Sequence, residues 1–302
     1  MRIGVDVGGT KIEAIVIDAA GRERLRRRIA TPGGDYGGTV EAIRGLVLAM
    51  EAELGEPGRV GVGTPGALSL GTGLVKNANS THLNGRPFGA DLAAALQREI
   101  RIDNDANCFA LSEASDGAGA GQRMVFGVIL GTGVGGGIVL DGRVWVGRNA
   151  IAGEWGHNEL PARGDGEALA PTRCYCGRLR CIETFLSGPG LAADHARATT
   201  IALDAQRIAA LAAAGDADAV ATLARYAERL ARALAMVINV LDPDVVVLGG
   251  GVSNIDALYD VVAARLPRHV FSDRCITQVV KNRHGDSSGV RGAAWLWPAG
   301  AA

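Results

Sequence analysis

Net charge is almost absent from this sequence. Its 302 residues carry 31 Lys and Arg against 32 Asp and Glu, which leaves a formal net charge of −1 at pH 7. A protein that holds a nucleic-acid backbone through a global basic field needs a clear excess of positive charge. The composition therefore excludes that class of binder, and we expect no nucleic-acid partner.

Long apolar runs are also missing. The longest stretch without a charged residue runs from Met124 to Leu140, and its 17 residues include six glycines. Such a stretch is typical of two strands and a turn, not of a membrane helix. Residues 1–6 do not form an apolar export segment. We expect a cytoplasmic protein with no membrane partner.

Cysteine is scarce, with five residues in the chain, which excludes a disulfide scaffold. Three of the five, Cys174, Cys176 and Cys181, lie within eight residues. Together with the nearest upstream histidine, His157, they form a Cys₃His set that suits tetrahedral zinc. Four protein ligands leave no open position, so the zinc would be structural. The alternative is a group of reduced thiols without a metal.

Glycine, by contrast, is abundant: 44 of the 302 residues, about twice the average usage. Residues 4–18 align without a gap with residues 127–141 at a constant offset of 123. Each copy consists of an apolar strand, a glycine turn and a second apolar strand, which predicts a hairpin. Two hairpins of this kind predict two domains of similar design, although chance similarity between glycine-rich and valine-rich hairpins is the alternative.

Strand and helix patterns alternate along the rest of the chain. The predicted elements are a helix over residues 40–54 capped by Thr39, strands over 60–64 and 245–248, and a long helix over 220–241 capped by Asp216. This alternation predicts an α/β fold with mixed sheets. Ligands of such folds bind at the carboxyl ends of strands, in the crevice between the two halves.

The first glycine turn follows the first strand and carries several groups that suit a phosphate. Gly8 and Gly9 let backbone N–H groups approach an anion closely. Thr10 adds a hydroxyl and Lys11 a positive charge. Asp6 could hold a magnesium ion through water. An ordinary hairpin turn is the alternative, but the combination of these groups favours phosphate binding.

Two further glycine turns follow strands. The first satisfies the dinucleotide pattern G-x-G-x-x-G and includes Gly131, Thr132, Gly133 and Gly135. Because residues 137–142 continue as strand and turn, where the true fingerprint opens a helix, we expect a second phosphate-binding hairpin that faces the first across the cleft. The other turn consists of Gly249, Gly250 and Gly251, and is either a strand-to-helix turn or a flat surface for a nucleoside.

Four polar side chains end a predicted strand just before a helix: Asp103, Asn104, Asp105 and Asn107. A carboxylate there could accept a proton from a substrate hydroxyl, and Asn104 could orient that hydroxyl. Helix capping is the alternative, but it needs only one such residue. Asp105 lies beyond the strand end and is the better base, although the sequence alone barely separates it from Asp103.

Two glutamates flank the metal-binding residues. Glu154 and Glu183 could be held by a zinc-pinned loop against the hydroxyl groups of a sugar. Their alternative is a pair of surface glutamates.

The chain resembles the ROK family, which is named for repressors, open reading frames and kinases. Segments 6–11, 153–157 and 174–183 carry the resemblance, which covers essentially the whole chain, although Arg180 stands where the family usually has glycine. It implies two actin-like ATPase (ribonuclease H-like) domains with mixed sheets and a cleft between them. We expect the domains to be residues 1–120 and 121–302, with a last helix that can pack back on the first domain.

Within that family, segments 76–81, 104–108 and 284–295 resemble those of bacterial fructokinases with mannokinase activity. The resemblance implies ATP-dependent phosphorylation of a hexose, with fructose expected first and N-acetylglucosamine, glucose or mannose as alternatives. It implies ATP, Mg²⁺ and structural Zn²⁺ as cofactors, and a homodimer. It assigns Asp105 as the base and places these residues at the sugar: Gly66, Asn79, Asn104, Glu154, His157 and Glu183.

Two other functions stay open at this point. A sugar-sensing regulator would use the same fold without catalysis. Family repressors carry an added amino-terminal DNA-binding domain, for which we expect no room before Asp6. A nicotinamide-dependent dehydrogenase is the third hypothesis, because of the match to G-x-G-x-x-G.

Overall fold

A computed structural model describes residues 1–78, 80–162, 169–285 and 288–298. Within these residues the chain forms two five-stranded mixed sheets with helices packed against them. None of the described helices has the length and apolar character needed to span a bilayer. The predicted α/β class with mixed sheets is confirmed.

The first sheet has the strand order β3-β2-β1-β4-β7. Its strands are β1 (Arg2–Val7), β2 (Lys11–Ile17), β3 (Glu23–Ala30), β4 (Arg59–Thr64) and β7 (Ile100–Asn104), and a two-stranded sheet of β5 (Ala67–Leu68) and β6 (Val75–Lys76) lies between β4 and β7 in the chain. Because β1, β4 and β7 run parallel, their carboxyl ends meet at one edge of the sheet.

The second sheet has the equivalent order β10-β9-β8-β11-β12. Its strands are β8 (Met124–Leu130), β9 (Val134–Leu140), β10 (Arg143–Val144), β11 (Val245–Gly249) and β12 (Gln278–Lys281). The hairpin of β8 and β9 is antiparallel, as is that of β1 and β2. β9 begins and ends 123 residues after β2, so both predicted hairpins are confirmed, and the matching strand order favours duplication over chance.

The helices are α1 (Tyr36–Leu54), α2 (Phe88–Leu96), α3 (Asp105–Ser115), α4 (Glu183–Leu186), α5 (Gly188–Thr199), α6 (Ala205–Ala213), α7 (Ala217–Leu241), α8 (Ala257–Arg265) and α9 (Ser288–Trp295). Short 3₁₀ helices lie at residues 81–83, 155–157, 251–254 and 266–268.

The predicted cap of α7 is confirmed, whereas that of α1 is wrong. Asp216 accepts a hydrogen bond from the backbone N–H of Ala219 at 2.9 Å. In α1 the cap is Asp35, whose carboxylate accepts from the N–H of Gly38 at 2.9 Å. Thr39 lies inside the helix, and its hydroxyl donates to the Asp35 carbonyl. An aspartate cap satisfies the free N–H groups of the first turn, so the helix starts before the apolar pattern that begins at Val40.

Helices α3 and α9 form the contact between the two sheets. α9 packs against β1, β2 and β4 of the first sheet and against α3, which in turn packs against β8 and β9 of the second. The approach is close because glycines face backbone. A Cβ atom on Gly292 would lie 1.6 Å from the Cys108 carbonyl oxygen, and one on Gly137 would lie 2.6 Å from that of Ala106.

We expect Gly292→Ala to lower the free energy of unfolding by roughly 1–3 kcal/mol, because the added methyl forces α9 away from α3. Gly45→Ala is the matched control. Gly45 lies within α1, and a Cβ atom there would have no described atom outside the helix backbone within 4 Å. Alanine at that position should therefore leave stability unchanged or raise it by up to about 1 kcal/mol. Urea unfolding measures both, and equal stabilities of the two variants would contradict the packing argument.

Candidate active site

A cavity of about 260 Å³ lies between the two sheets. Its lining residues come from the ends of strands, the start of α3 and the residues around the start of α9. They are Asp6, Val7, Gly8, Gly9, Pro65, Asp105, Phe109, Ile129, Gly250, Gly285 and Gly289. This is the edge at which the parallel strands of an α/β fold present their ligands.

The structure brings only part of the predicted nucleotide set to this cavity. Asp6, Gly8, Gly9 and Gly250 line it. The other members do not belong to its lining: Thr10, Lys11, Gly131, Thr132, Gly133, Gly135, Gly249 and Gly251. Their roles in ATP binding stay predictions.

The second glycine turn continues directly into a strand. Gly135 and Gly136 belong to β9, whereas a dinucleotide fingerprint opens a helix at this point. The hairpin interpretation is therefore confirmed, and the dehydrogenase hypothesis loses the structural feature that motivated it.

Sequence reasoning missed several lining residues. Phe109 lies four residues after Asp105, which is the spacing of one helix face, so that signal was available. A Cβ atom on Gly289 would lie 3.7 Å from the Asp6 carboxyl group. The start of α9 therefore lies beside Asp6. Glycines at the start of a helix can mark such a close approach, and the sequence contains Gly285 and Gly289 at that position.

Asp6 and Asp105 are open to the cavity but surrounded by protein on their other sides. Burial raises the pKa of Asp6 to about 7, and the charges of Asp105 and Glu13 add to this more than Lys11 offsets it. Burial also raises the pKa of Asp105, with the Glu154 charge adding, against an opposing hydrogen bond from the Ala106 N–H. The cavity therefore concentrates negative charge that nearby cations do not fully compensate.

The residues before and after Asp105 hold its carboxylate in place. Asn104 is the cap of α3: its Oδ1 accepts from the N–H groups of Ala106 and Asn107 at 2.9 and 3.1 Å, and its Nδ2 donates to Asp105 Oδ1 at 3.0 Å. Asp103 Oδ1 accepts from the Asn104 N–H at 2.8 Å and from Asn107 Nδ2 at 2.7 Å. Asp103 therefore supports the turn, while Asp105 lines the cavity.

The remaining sugar-side predictions have mixed outcomes. Gly66 has a positive φ of 75°, and a Cβ atom there would lie 2.4 Å from the Lys76 carbonyl oxygen, so glycine is required for packing at this position. Glu154 is exposed and precedes the 3₁₀ turn that carries His157. Asn79 lies outside the described residues. Their contacts with a sugar stay predictions.

The predicted metal ligands come together in one cluster, the Cys₃His cluster of His157, Cys174, Cys176 and Cys181. Their ligand atoms all lie within 4.8 Å of one another. Cys176 Sγ is 3.6 Å from Cys181 Sγ, and Cys174 Sγ is 3.6 Å from His157 Nδ1. A tetrahedral zinc with its usual bond lengths separates such ligands by roughly 3.5–3.8 Å. The residues fit zinc, and its binding stays a prediction.

Tyr175 occupies the other side of the His157 ring, a contact that the sequence did not predict. Its hydroxyl lies 3.1 Å from His157 Nε2, and the two rings meet edge to face with centroids 5.2 Å apart. His157 therefore turns Nδ1 towards the cluster and Nε2 towards Tyr175. The family resemblance implies that His157 faces the sugar, and a sugar that bonded to Nε2 would have to replace this contact.

Comparisons with known proteins match this geometry over nearly the whole chain. A family model described as "ROK family" matches residues 2–299. The chain belongs to the ROK family. An N-acetyl-D-glucosamine kinase of Salmonella paratyphi A is 42% identical over 299 residues, which cover 98% of this chain and 99% of that protein.

Two solved ROK structures share the fold. The ROK hexokinase from Thermus thermophilus has a TM-score of 0.85 and 31% identity, covering 97% of this chain and 96% of its own. A ROK family glucokinase from Streptomyces griseus, solved in complex with glucose and AMPPNP, has a TM-score of 0.78 and 30% identity, covering 98% of both chains. The predicted fold, with two actin-like ATPase domains and a cleft between them, is confirmed. The boundary between residues 120 and 121 stays a prediction.

We expect Asp6→Asn to stabilise this ROK protein most at alkaline pH. The folded-state pKa of Asp6 is about 7, above the unfolded value of about 3.9, so the folded state keeps a proton that the unfolded chain has lost. Ionised Asp6 therefore costs stability fully above about pH 7, and the cost disappears as the pH falls towards about 4. Each kcal/mol of relieved charge raises the melting temperature by roughly 2–4 °C.

Thermal unfolding at about pH 8 and about pH 5 measures this effect. Asp18→Asn is the control of opposite sign, because hydrogen bonds from Arg22 lower the pKa of Asp18, so its replacement should give no gain at alkaline pH. An Asp6→Asn gain that is larger at the lower pH would contradict the assignment.

Proposed function

We propose that this chain is an ATP-dependent hexose kinase in which Asp105 is the general base. The observation that carries the proposal is the placement of Asp105 and Asp6 on one cavity between the two sheets, beside Gly8 and Gly9. Membership of the ROK family and the similarity to sugar kinases over the full chain support it.

The acceptor sugar is the finer part of the proposal. The relative from Salmonella paratyphi A, at 42% identity, is an N-acetyl-D-glucosamine kinase, and the Streptomyces griseus structure holds glucose. These relatives favour N-acetylglucosamine as the first acceptor to test. Fructose, which the resemblance within the family implies first, is the alternative acceptor to test.

The phosphate side of the site is built from backbone. Gly8 and Gly9 lack side chains, so the phosphates of ATP can come close to the backbone of this turn. The Gly8 N–H donates to the Lys11 carbonyl at 2.9 Å and closes the turn, so the N–H of Gly9 is the one proposed to bind a phosphate.

Asp6 is suited to hold Mg²⁺ through water, because its carboxylate is an oxygen ligand and the charges of Asp105 and Glu13 beside it are not fully offset by Lys11. Gly289 has no side chain that would fill the space next to the carboxylate. When bound, Mg²⁺ neutralises charge on the transferred phosphoryl group.

Asp105 accepts the proton of the attacking sugar hydroxyl. Burial raises its pKa, which makes its carboxylate a stronger proton acceptor than an exposed aspartate. The amide of Asn104 donates to Asp105 Oδ1 and so orients the carboxylate. Closure of the cleft between the two domains would exclude water and limit hydrolysis of ATP.

The first test is a panel of sugars assayed for ADP release with ATP and Mg²⁺. We expect the highest kcat/KM with N-acetylglucosamine, with fructose, glucose and mannose as the comparison set, because a site built to hydrogen-bond one substituent discriminates against sugars that lack it.

Sugar binding without turnover would instead support the sugar-sensing regulator. A ROK family transcriptional regulator shares this fold at 22% identity with a TM-score of 0.82, which shows the fold alone.

The second test assigns the base. Asp105→Asn should lower kcat by about 10²–10⁴-fold while sugar affinity, measured by calorimetry, changes little, because the amide oxygen of asparagine can still accept from the Ala106 N–H and from Asn104 Nδ2. Asp103→Asn is the matched control, since its carboxylate supports the turn and asparagine can still accept the same N–H groups. A larger loss in Asp103→Asn than in Asp105→Asn would move the base to Asp103.

A further inference from the structure

We infer that Glu183 is a positioning residue that links the Cys₃His cluster to the second glycine turn, so that metal occupancy sets nucleotide affinity as well as sugar binding. The inference rests on the proposed function, because it takes the second glycine turn, with the predicted residues Gly131, Thr132, Gly133 and Gly135, as a binding site for the phosphates of ATP. It differs from the sugar contact that the family resemblance implies for this residue.

The Glu183 carboxylate touches both features at once. Oε2 accepts a hydrogen bond from the backbone N–H of Val134 at 3.0 Å, and Oε1 lies 3.7 Å from Cys174 Sγ. Glu183 begins α4 two residues after the cluster member Cys181. A zinc-bound Cys174 is a thiolate with no proton to donate, so the link from the cluster to the turn between β8 and β9 runs through the chain from Cys181 to Glu183 and through the bond from Val134.

The turn is shaped to accept this carboxylate. A Cβ atom on Gly133 would lie 2.6 Å from Glu183 Oε2. Any other residue at position 133 would therefore push the carboxylate away from the Val134 N–H. The glycine pattern at this turn, which suggested phosphate binding, also makes room for Glu183.

Other residues next to the cluster hold the same turn. The Trp155 indole N–H, two residues before His157, donates to the Gly135 carbonyl at 3.0 Å. The Gly188 N–H, at the start of α5, donates to the Gly131 carbonyl at 2.8 Å. Both ends of the turn are thus fixed by segments that flank the metal ligands.

This arrangement has an energetic consequence for phosphate binding. Backbone N–H groups bind an anion tightly only if they are already oriented, since a mobile turn must be ordered at the expense of affinity. A hydrogen bond to a carboxylate is among the stronger ones available to a backbone N–H. Metal binding orders the segments that supply its ligands, and therefore fixes Glu183 and the turn together.

Glu154 provides the matched comparison. It also flanks the cluster and carries the same predicted sugar role. Among the described residues, however, no hydrogen bond joins its side chain to the turn at 131–135. A variant of Glu154 should therefore affect sugar binding and leave nucleotide binding unchanged.

The experiment measures ADP binding by calorimetry without sugar, on full-length protein that is either loaded with Zn²⁺ or stripped by a chelator. Loaded protein should bind ADP about tenfold more tightly than stripped protein. Loaded Glu183→Ala should bind ADP about tenfold more weakly than loaded wild type. Glu183→Gln should recover part of the loss, because its amide oxygen can still accept from Val134. Glu154→Ala should match wild type, and elemental analysis should find about one zinc per chain in all loaded forms.

Three results would overturn the inference. The first is equal ADP affinity of loaded and stripped wild type, and the second is wild-type ADP affinity in zinc-loaded Glu183→Ala. The third is loss of zinc from that variant, which would mean that Glu183 is needed for zinc binding itself. Should stripping unfold the protein, the comparison of loaded Glu183→Ala with loaded Glu154→Ala still decides. Absence of ADP binding to loaded wild type would instead refute the nucleotide site of the proposed function.

Discussion

The contact between α3 and α9 is the constraint on which the rest of the structure depends. α3 begins with Asp105 and packs against the second sheet, while α9 begins beside Asp6 and packs against the first. Gly292 lets the two helices meet backbone to backbone at Cys108. The distance between the two cavity carboxylates is therefore set by helix packing rather than by the loops at the rim of the cleft.

A buried carboxylate reinforces this contact. Glu113, on α3, is fully buried and accepts hydrogen bonds from the N–H groups of Ala118 and Arg283 and from the hydroxyl of Ser288. A buried carboxylate with donors on several sides is costly to leave unpaired, so Arg283 and the first residue of α9, Ser288, are held firmly to α3. Gly285 and Gly289, which lie close to these two residues in the chain, are consequently fixed in the wall of the cavity.

Much of this architecture could be predicted from the sequence because it depends on local pattern. The repeat at an offset of 123 indicated both hairpins, and the spacing of Cys174, Cys176 and Cys181 indicated the cluster, since short loops leave few ways to arrange three thiols.

The contacts of Tyr175 and Glu183 could not be predicted. Each depends on the direction of a side chain that is chosen by packing between segments distant in sequence, and no periodicity reports that direction. The cap of α1 was missed because the apolar pattern begins at Val40, which places the predicted cap at Thr39. Gly37 and Gly38, which weaken a helix, lie before that pattern. In the folded chain the carboxylate of Asp35 satisfies the first turn, which outweighs the cost of the glycines.

Glycine is the most frequent residue in the cavity wall. Five of the eleven lining residues are glycine, and the two charged ones are Asp6 and Asp105. A phosphate that enters such a site meets two carboxylates, so side-chain charge alone would repel it. In the proposed kinase, stabilisation would come from backbone N–H groups, which glycine leaves accessible, and from a cation held near Asp6. Under that proposal, the same carboxylates that oppose phosphate entry serve the reaction, one by holding the cation and one by removing the proton. The glycines and the cation would then be the condition under which both acids can remain in one cleft.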